Sequence, residues 1–427
     1  MKGFVFRFAQ LFLFLVPLQF ALVPFSGVDL PYTRILAPLL FISWLTDGLA
    51  RRRLKTPLSV TLIGLSVYLS LSFLSIFFAQ DQEWAFRRVT FLFSYFPLFP
   101  VFSSIMSEYG DYGSKKLLRA FLFGATSIAI VAITQFVSQF IFGVEVIYKY
   151  WIESVLPFFL GPGFSGAVSV YPSLLVNLGG RTVLRASAFF PDPHMLAFYM
   201  GLALPVSVAL FVSDSELRRK IFYFASFLLI LSADILSFSR GGYVGLFFGL
   251  CTAAVLVIRR MGFSKILLTF AVFFTFAASI LIISVPVRER LMSTFSIDDG
   301  SNKGRVEMFQ EAMAKIWVRP YGYGLGNYPL AVKPTAGYRD PIYAHDLYLD
   351  IATEAGILAS AAFLFALGSA YFRNLRLRSE VIPLSIAVSI AVFFAHSLFE
   401  TPLYSVQVLP ALLFVLALPD AYGRIET

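Results

Sequence analysis

Residues 343–372, "YAHDLYLDIATEAGILASAAFLFALGSAYF", join a polar head to a long apolar run. Asp346, Asp350 and Glu354 are spaced four residues apart, so a helix places the three carboxylates on one face, close to His345. A carboxylate is costly in the hydrocarbon core of a bilayer, so this face is expected to point into a helix bundle or a wet cavity. The stretch therefore predicts a membrane helix that begins at a polar site.

The composition is that of an integral membrane protein. Of 427 residues, 58% are hydrophobic and 14% are charged, whereas soluble domains have roughly 25% charged residues. The formal charge of +9 does not indicate a nucleic-acid partner, because the Lys and Arg residues are dispersed between apolar runs. The single cysteine, Cys251, excludes an intramolecular disulfide and a CxxC metal site.

About twelve apolar runs reach the length of about 20 residues that a helix needs to cross a bilayer. We place them at residues 4–25, 31–49, 57–79, 87–106, 117–143, 191–212, 220–237, 241–258, 265–285, 342–372, 380–400 and 402–419. The first run lacks a convincing small-residue cleavage site, so we interpret it as a retained span rather than a signal peptide. The predicted fold class is all-α and integral to the membrane, with residues 1–427 forming one polytopic domain.

The basic residues of the connections predict the orientation. One alternate set of connections is rich in Lys and Arg, at Lys2, Arg7, 51–55, 115–119, 218–220, 259–265, 373–378 and Arg424. The short loops of the other set hold only Arg34, Arg87, Arg88 and Arg240. By the positive-inside rule the first set is cytoplasmic, and so are both termini.

Two long connections, residues 144–190 and 286–341, then lie outside the cytoplasm. The second, between spans nine and ten, has the pattern of an amphipathic helix. Its predicted inward face holds Arg305, Met308, Phe309, Ala312 and Ile316, and its predicted solvated face holds Glu307, Glu311 and Lys315.

In this topology, polar side chains from separate segments meet at the outer membrane boundary. His194, His345 and His396 each lie at the outer end of a span, and Arg240 lies in the outward turn between spans seven and eight. A carboxylate beside an imidazole holds its tautomer and raises its basicity, as a general base requires. Guanidinium groups pair bidentately with phosphate oxygens and stay charged, so the arginines outside the membrane, Arg185 among them, suit a ligand that carries pyrophosphate.

Three motifs, in this order, resemble the O-antigen ligase and O-antigen polymerase superfamily. They are "SFSRGG" at residues 237–242, the "GR…W…P.G.G.GNY" run from Gly304, and "AHDLYL…E.GIL" from Ala344. The likeness covers roughly residues 185–400 and also fits the overall topology. It implies a GT-C-type glycosyltransferase of the bacterial inner (plasma) membrane, which takes a glycan from undecaprenyl pyrophosphate at a site facing the periplasm.

The resemblance also implies which residues act. Arg240 and Arg305 match the essential arginines of the ligases, and His345 matches their essential histidine. As further substrate-binding residues we predict Arg185, His194, Asp346, His396 and Glu400. We expect an inverting reaction with neither a metal nor a cofactor, and lipid A core or another glycan as the acceptor. The chain departs from the family pattern at Asp346, where Asn is usual, and at the Asp192-Pro193-His194 element.

Other functions stay open at this point. Transfer to a second lipid-linked repeat would make the protein a polymerase, and transfer to a protein hydroxyl would make it an O-oligosaccharyltransferase. A metal-dependent enzyme could hold Mg²⁺ or Mn²⁺ with Asp192, with Asp346, or with the pair His396 and Glu400, one helical turn apart. A lipid-linked glycan transporter or flippase shares the twelve-span layout, although transporters usually place their polar site near the bilayer midplane between repeated halves.

Overall fold

A computed structural model describes residues 2–25, 28–52, 54, 56–170, 172–178, 180–258, 300–338, 340, 342–377 and 380–422. Of the described residues, 77% are helical and very few lie in strands, which confirms the all-α membrane class in general. The ninth predicted span, residues 265–285, lies outside the described residues, as does the stretch 286–299 of the second long connection.

The first half of the chain forms helices of very different length. They are α1 (Lys2–Leu15), α2 (Thr33–Ala50), α3 (Val60–Leu74), α4 (Gln82–Tyr95), α5 (Leu98–Phe142), α6 (Val144–Tyr150), α7 (Leu156–Leu160), α8 (Pro162–Val170) and α9 (Pro193–Ser213). Two short antiparallel pairs lie between them: β1 (Ala21–Leu22) with β2 (Leu30–Pro31), and β3 (Leu175–Leu178) with β4 (Arg181–Leu184). The second pair is a hairpin in which Leu175 lies opposite Leu184.

The second half supplies the remaining helices. They are α10 (Leu217–Leu236), α11 (Arg240–Ile258), α12 (Gly300–Val318), α13 (Tyr328–Val332), α14 (Leu347–Ala355), α15 (Ile357–Arg376), α16 (Val381–His396) and α17 (Val408–Ala417). Helix α5 packs against α1, α9, α10 and α17, while α16 packs between α9 and α11. The buried aromatic and aliphatic side chains between these helices form one large core cluster.

Four helical segments among the described residues are long and apolar enough to cross a membrane. They are Val60–Phe78, Gln82–Phe142, Pro193–Ser213 and Ile357–Arg376, and shorter apolar helices lie at Gly3–Leu18, Arg240–Leu256, Val381–His396 and Val408–Ala421. The predicted span 87–106 and all but the last residue of 117–143 fall within Gln82–Phe142, which is kinked at Gly110, where φ is +58°. The predicted count of twelve spans stays a prediction.

The tenth predicted span, 342–372, is not one helix. It is divided at Gly356, whose φ of +96° is in the left-handed region that favours glycine. An added Cβ at Gly356 would lie 2.9 Å from the carbonyl carbon of Tyr321, and the N–H of Ile357 donates to the carbonyl of Pro320 at 2.9 Å. The break therefore exists because another segment of backbone passes between α14 and α15. It leaves α14, with its acidic residues, outside the candidate span Ile357–Arg376.

Helices α11 and α16 approach each other closely along a row of glycines. Gly241, Gly245 and Gly249 recur every four residues, and each lies against Val392 or His396 of α16. Small residues at this spacing let two helix backbones come together, a common mode of packing between membrane helices. The row fixes the position of α11, and therefore of Arg240 at its first turn, relative to His396.

We expect Gly245→Ala to destabilise the protein by about 1 to 3 kcal/mol, the usual cost of overpacking. The added methyl group would lie 2.9 Å from the backbone oxygen of Val392, so a helix would have to move. Thermal unfolding in detergent measures the effect. Gly368→Ala in α15 is the matched control, because its Cβ would have no neighbour within 4 Å. Equal unfolding midpoints for Gly245→Ala and Gly368→Ala would contradict this account of the packing.

Candidate active site

The carboxylate of Glu400 lies at the centre of a cluster built from four segments. Its Oε1 atom accepts a hydrogen bond from Nη2 of Arg305 at 2.9 Å and lies 3.2 Å from Nδ1 of His345. The same oxygen lies 3.7 Å from Nε2 of His194. Only 5% of the Glu400 side chain is exposed, whereas 20% of His345 and 23% of Arg305 are exposed. The carboxylate is therefore covered by side chains that remain open on their other side.

His345 occupies an unusual backbone position. Its φ is +55°, which is uncommon for a residue other than glycine, and its ring lies 4.1 Å from the ring of Tyr343. Asp346, the next residue, caps α14 by accepting hydrogen bonds from the backbone N–H groups of Tyr348 and Leu349. Glu400, and not Asp346, is the carboxylate in contact with the imidazole of His345. The turn before α14 thus positions the imidazole ring of His345 at the N-terminal end of the helix.

The acidic residues of α14 are buried and bind within the protein. Asp350 accepts a hydrogen bond from the N–H of Ala344 at 2.7 Å and another from the hydroxyl of Thr401. Glu354 accepts a hydrogen bond from the hydroxyl of Tyr404 at 3.1 Å. These contacts attach α14 to residues 401–404, directly after Glu400. The acidic face predicted from the sequence therefore positions the segment that carries the central carboxylate.

A second cluster forms around the hydroxyl of Ser239. Its Oγ lies 2.8 Å from Nδ1 of His194 and 3.3 Å from Nε2 of His396, and it accepts a hydrogen bond from the N–H of Gly242. The fully buried ring of His396 stacks on Phe198 at 3.5 Å. Because His194 contacts Ser239 through one ring nitrogen and approaches Glu400 with the other, it connects the two clusters. Sequence reasoning did not select Ser239, although it directly precedes Arg240 in "SFSRGG".

Arg240 lies at the first position of α11, immediately after Ser239, and is buried. The turn before it is held by Arg185, which donates hydrogen bonds to the carbonyl oxygens of Ser237 at 2.7 Å, Phe238 at 3.3 Å and Ser173 at 2.9 Å. These contacts give Arg185 a structural role in presenting the turn. Substrate binding by Arg185 stays a prediction.

Two expectations about the helices around the site are corrected. Helix α16 ends at His396, so His396 and Glu400 do not form a pair one helical turn apart, and they belong to the two different clusters. In α12, Ala312 and Ile316 are buried as predicted, whereas Phe309 is 47% exposed. Lys315, predicted to be solvated, donates a hydrogen bond to the carbonyl of Ala331 at 2.6 Å.

The glycine-rich segment "YGYGLGNY", residues 321–328, packs against the C-terminal end of α14 and donates hydrogen bonds to its last carbonyl groups. Tyr323 and Gly324 donate backbone hydrogen bonds to the carbonyl oxygens of Thr353 and Glu354 at 2.8 and 2.9 Å. An added Cβ at Gly322 would lie 2.4 Å from the Glu354 carbonyl oxygen. Gly322 therefore permits close packing of this segment onto the last turn of α14, where a side chain would not fit.

Asp192 lies beside the site and caps α9, accepting a hydrogen bond from the N–H of Met195 at 2.9 Å. Burial, followed by the nearby charge of Glu400, raises the pKa of this carboxyl to about 6. Within the described residues, no group of three or more His, Cys, Asp or Glu side chains is arranged to hold a metal ion. The metal independence of the reaction stays a prediction.

The apolar helices and this cluster of buried charges define a multi-pass membrane protein with a polar site. A family model described as O-antigen ligase matches residues 225–364. The match confirms the resemblance to the O-antigen ligase and O-antigen polymerase superfamily. It includes Arg240, Arg305 and His345. No curated protein matches the chain.

We expect the stability of the protein to depend on the protonation of Asp350. Burial raises the pKa of this carboxyl to about 8. Since the pKa is higher in the folded than in the unfolded chain, the stabilisation is present at low pH and is lost as the pH rises towards and through 8. The unfolding temperature of the wild type is therefore expected to fall between about pH 5 and about pH 9.

Asp350→Asn tests this dependence, because the amide can still accept from Ala344 and can donate to Thr401. Its unfolding temperature is expected to fall less over the same pH range, measured by thermal unfolding in detergent. Glu307→Gln, an exposed position of α12, is the control and is expected to follow the wild type. Parallel curves for the wild type and Asp350→Asn would contradict the prediction.

Proposed function

We propose that the protein is an O-antigen ligase-like glycosyltransferase that moves a glycan from undecaprenyl pyrophosphate to an acceptor hydroxyl on the periplasmic side of the inner membrane. The observation that carries the proposal is the shared contact of Glu400 with His345 and Arg305, at 3.2 and 2.9 Å. It combines a candidate base with a candidate phosphate-binding group. The family match at residues 225–364 supports the same reaction class.

In the proposed reaction, His345 is the general base. Its Nδ1 faces Glu400, so Nε2 takes the proton from the acceptor hydroxyl. The acceptor oxygen attacks the anomeric carbon while the bond between that carbon and the pyrophosphate oxygen breaks, which inverts the configuration. Glu400 fixes the tautomer of His345 and stabilises the imidazolium that forms. A positioned base of this kind typically contributes a factor of about 10² to 10⁴ in rate.

Arg305 and Arg240 bind the pyrophosphate in this proposal. Their guanidinium groups stabilise the negative charge that develops on the leaving group, with no step that requires a metal. Arg305 lies on α12 and Arg240 on α11, so the two arginines approach the leaving group from different helices. His194, which connects the Glu400 and Ser239 clusters, lies where it can contact the donor. The side chains of Asp346 and His396 make contacts within the protein. Their roles in substrate binding stay predictions.

Mass spectrometry of the products formed by the purified protein tests the proposal. A defined undecaprenyl-pyrophosphate glycan is supplied with lipid A core, with a second lipid-linked repeat, or with an acceptor protein. Transfer to lipid A core identifies a ligase, whereas the other two acceptors identify a polymerase or an O-oligosaccharyltransferase. The enzyme proposal fails if the wild type moves lipid-linked glycan across vesicles and joins it to none of the acceptors.

A further inference from the structure

Glu400 is the only carboxylate among the described residues that contacts both His345 and Arg305. One oxygen atom, Oε1, makes both contacts, so the charge of Glu400 is shared between a guanidinium and an imidazole. This carboxylate therefore neutralises Arg305. A pyrophosphate group needs the same guanidinium, and two anions cannot both remain close to it without mutual repulsion.

We propose that Glu400 is an exchangeable counterion: it pairs with Arg305 when no donor is bound and moves its charge to His345 when a pyrophosphate-linked donor occupies Arg305. The inference rests on the proposed function and adds a positioning role that neither the family match nor the motifs assign. It explains why a buried carboxylate lies at an anion site, where its charge opposes donor binding.

The surroundings of Glu400 favour a side-chain movement over a movement of the chain. The backbone on either side is attached: the carbonyl of Ser397 accepts from the N–H of Leu347 at 2.9 Å, and the hydroxyl of Thr401 donates to Asp350. Meanwhile, the alternative partners of the carboxylate are already close, His345 at 3.2 Å and His194 at 3.7 Å. A small rotation of the Glu400 side chain is therefore enough to change partners.

The exchange matches the charges that the reaction creates. Before transfer, His345 is a neutral base and Arg305 holds the pyrophosphate. During transfer, the acceptor proton moves to His345, and the imidazolium then has the carboxylate of Glu400 beside it. Glu400 thus weakens donor binding and assists the chemical step, so its removal has opposite effects on the two quantities.

Glu400→Gln is the decisive variant, since glutamine has the shape of glutamate without the charge. Binding is measured with undecaprenyl pyrophosphate in detergent, and transfer is measured under saturating donor. We expect binding to become tighter by about tenfold, as for the loss of one close like-charge contact, and the transfer rate to fall by about 10²-fold. Glu307→Gln, on the helix of Arg305 and exposed, is expected to leave both quantities unchanged.

The inference is overturned if Glu400→Gln binds undecaprenyl pyrophosphate no more tightly than the wild type does. It is also overturned if Glu400→Gln transfers glycan at the rate of the wild type. If Glu400→Gln does not fold, Glu400→Asp takes its place: the shortened side chain withdraws the charge from Arg305, so tighter binding and slower transfer are again expected. The binding measurement does not depend on an acceptor. If the wild type transfers no glycan, the proposed function is refuted. If the wild type transfers glycan and Glu400→Gln has the same donor binding and transfer rate as the wild type, only the exchange is refuted.

Discussion

His345→Asn is expected to lower the rate of glycan transfer by about 10² to 10⁴ while undecaprenyl pyrophosphate still binds, because the variant removes the proton acceptor and leaves Arg240 and Arg305 in place. Asparagine is the better substitution than alanine, since it tolerates the left-handed backbone that His345 adopts at φ +55°. The measurement combines single-turnover transfer with equilibrium binding of undecaprenyl pyrophosphate.

The same experiment separates catalysis from folding. If His345→Asn elutes as the wild type does from size-exclusion chromatography and binds pyrophosphate, its lost activity reports on the chemical step. Retention of more than a tenth of the wild-type rate would show that another group accepts the proton. His194 is the first alternative to examine, since its Nε2 lies 3.7 Å from the same carboxylate.

Arg305→Lys is expected to lower transfer by about 10² to 10³, the usual effect of losing one donor that stabilises a developing charge. Lysine keeps the positive charge but cannot bind phosphate with two parallel N–H groups. Arg240→Lys is expected to have an effect of similar size. Because both arginines act on one leaving group, the double variant is expected to lose less than the product of the two single effects.

Lys303→Ala is the matched control for these arginine variants. Lys303 is a cation on the same helix, two residues before Arg305, and its side chain is exposed. Steady-state transfer rates at several donor concentrations distinguish a defect in binding from a defect in turnover. If Lys303→Ala loses as much activity as Arg305→Lys, the arginine acts through the general charge of the helix rather than through a specific contact.

Local sequence signals were sufficient to predict the helical class and several members of the candidate site. The apolar runs predicted membrane helices, and the motif order brought Arg240, Arg305 and His345 into one hypothesis. The structure brings His345 and Arg305 onto one carboxylate, and it places Arg240 beside Ser239, whose partner His194 approaches the same carboxylate. Their catalytic roles stay predictions.

The remainder depended on contacts between distant segments, which one sequence does not display. Hydropathy runs smoothly through Gly356, yet the helix is divided there because the backbone near Tyr321 needs the space. Likewise, Asp346 adjoins His345 in sequence, whereas the carboxylate that contacts the imidazole is Glu400, 55 residues away. Ser239 has no distinguishing pattern of its own, and its importance appears only when two imidazoles approach it.

The position of Glu400 has a consequence for chimeric proteins. The segment recognised by the family model ends at residue 364, so it carries His345 and both arginines but neither Glu400 nor the histidines at 194 and 396. A chimera that received only this segment from another protein matched by the same family model would combine His345 from one parent with the carboxylate from the other. To exchange donor or acceptor preference between such proteins, the start of α9 with His194 and the residues from His396 to Glu400 must therefore be transferred together with the central segment.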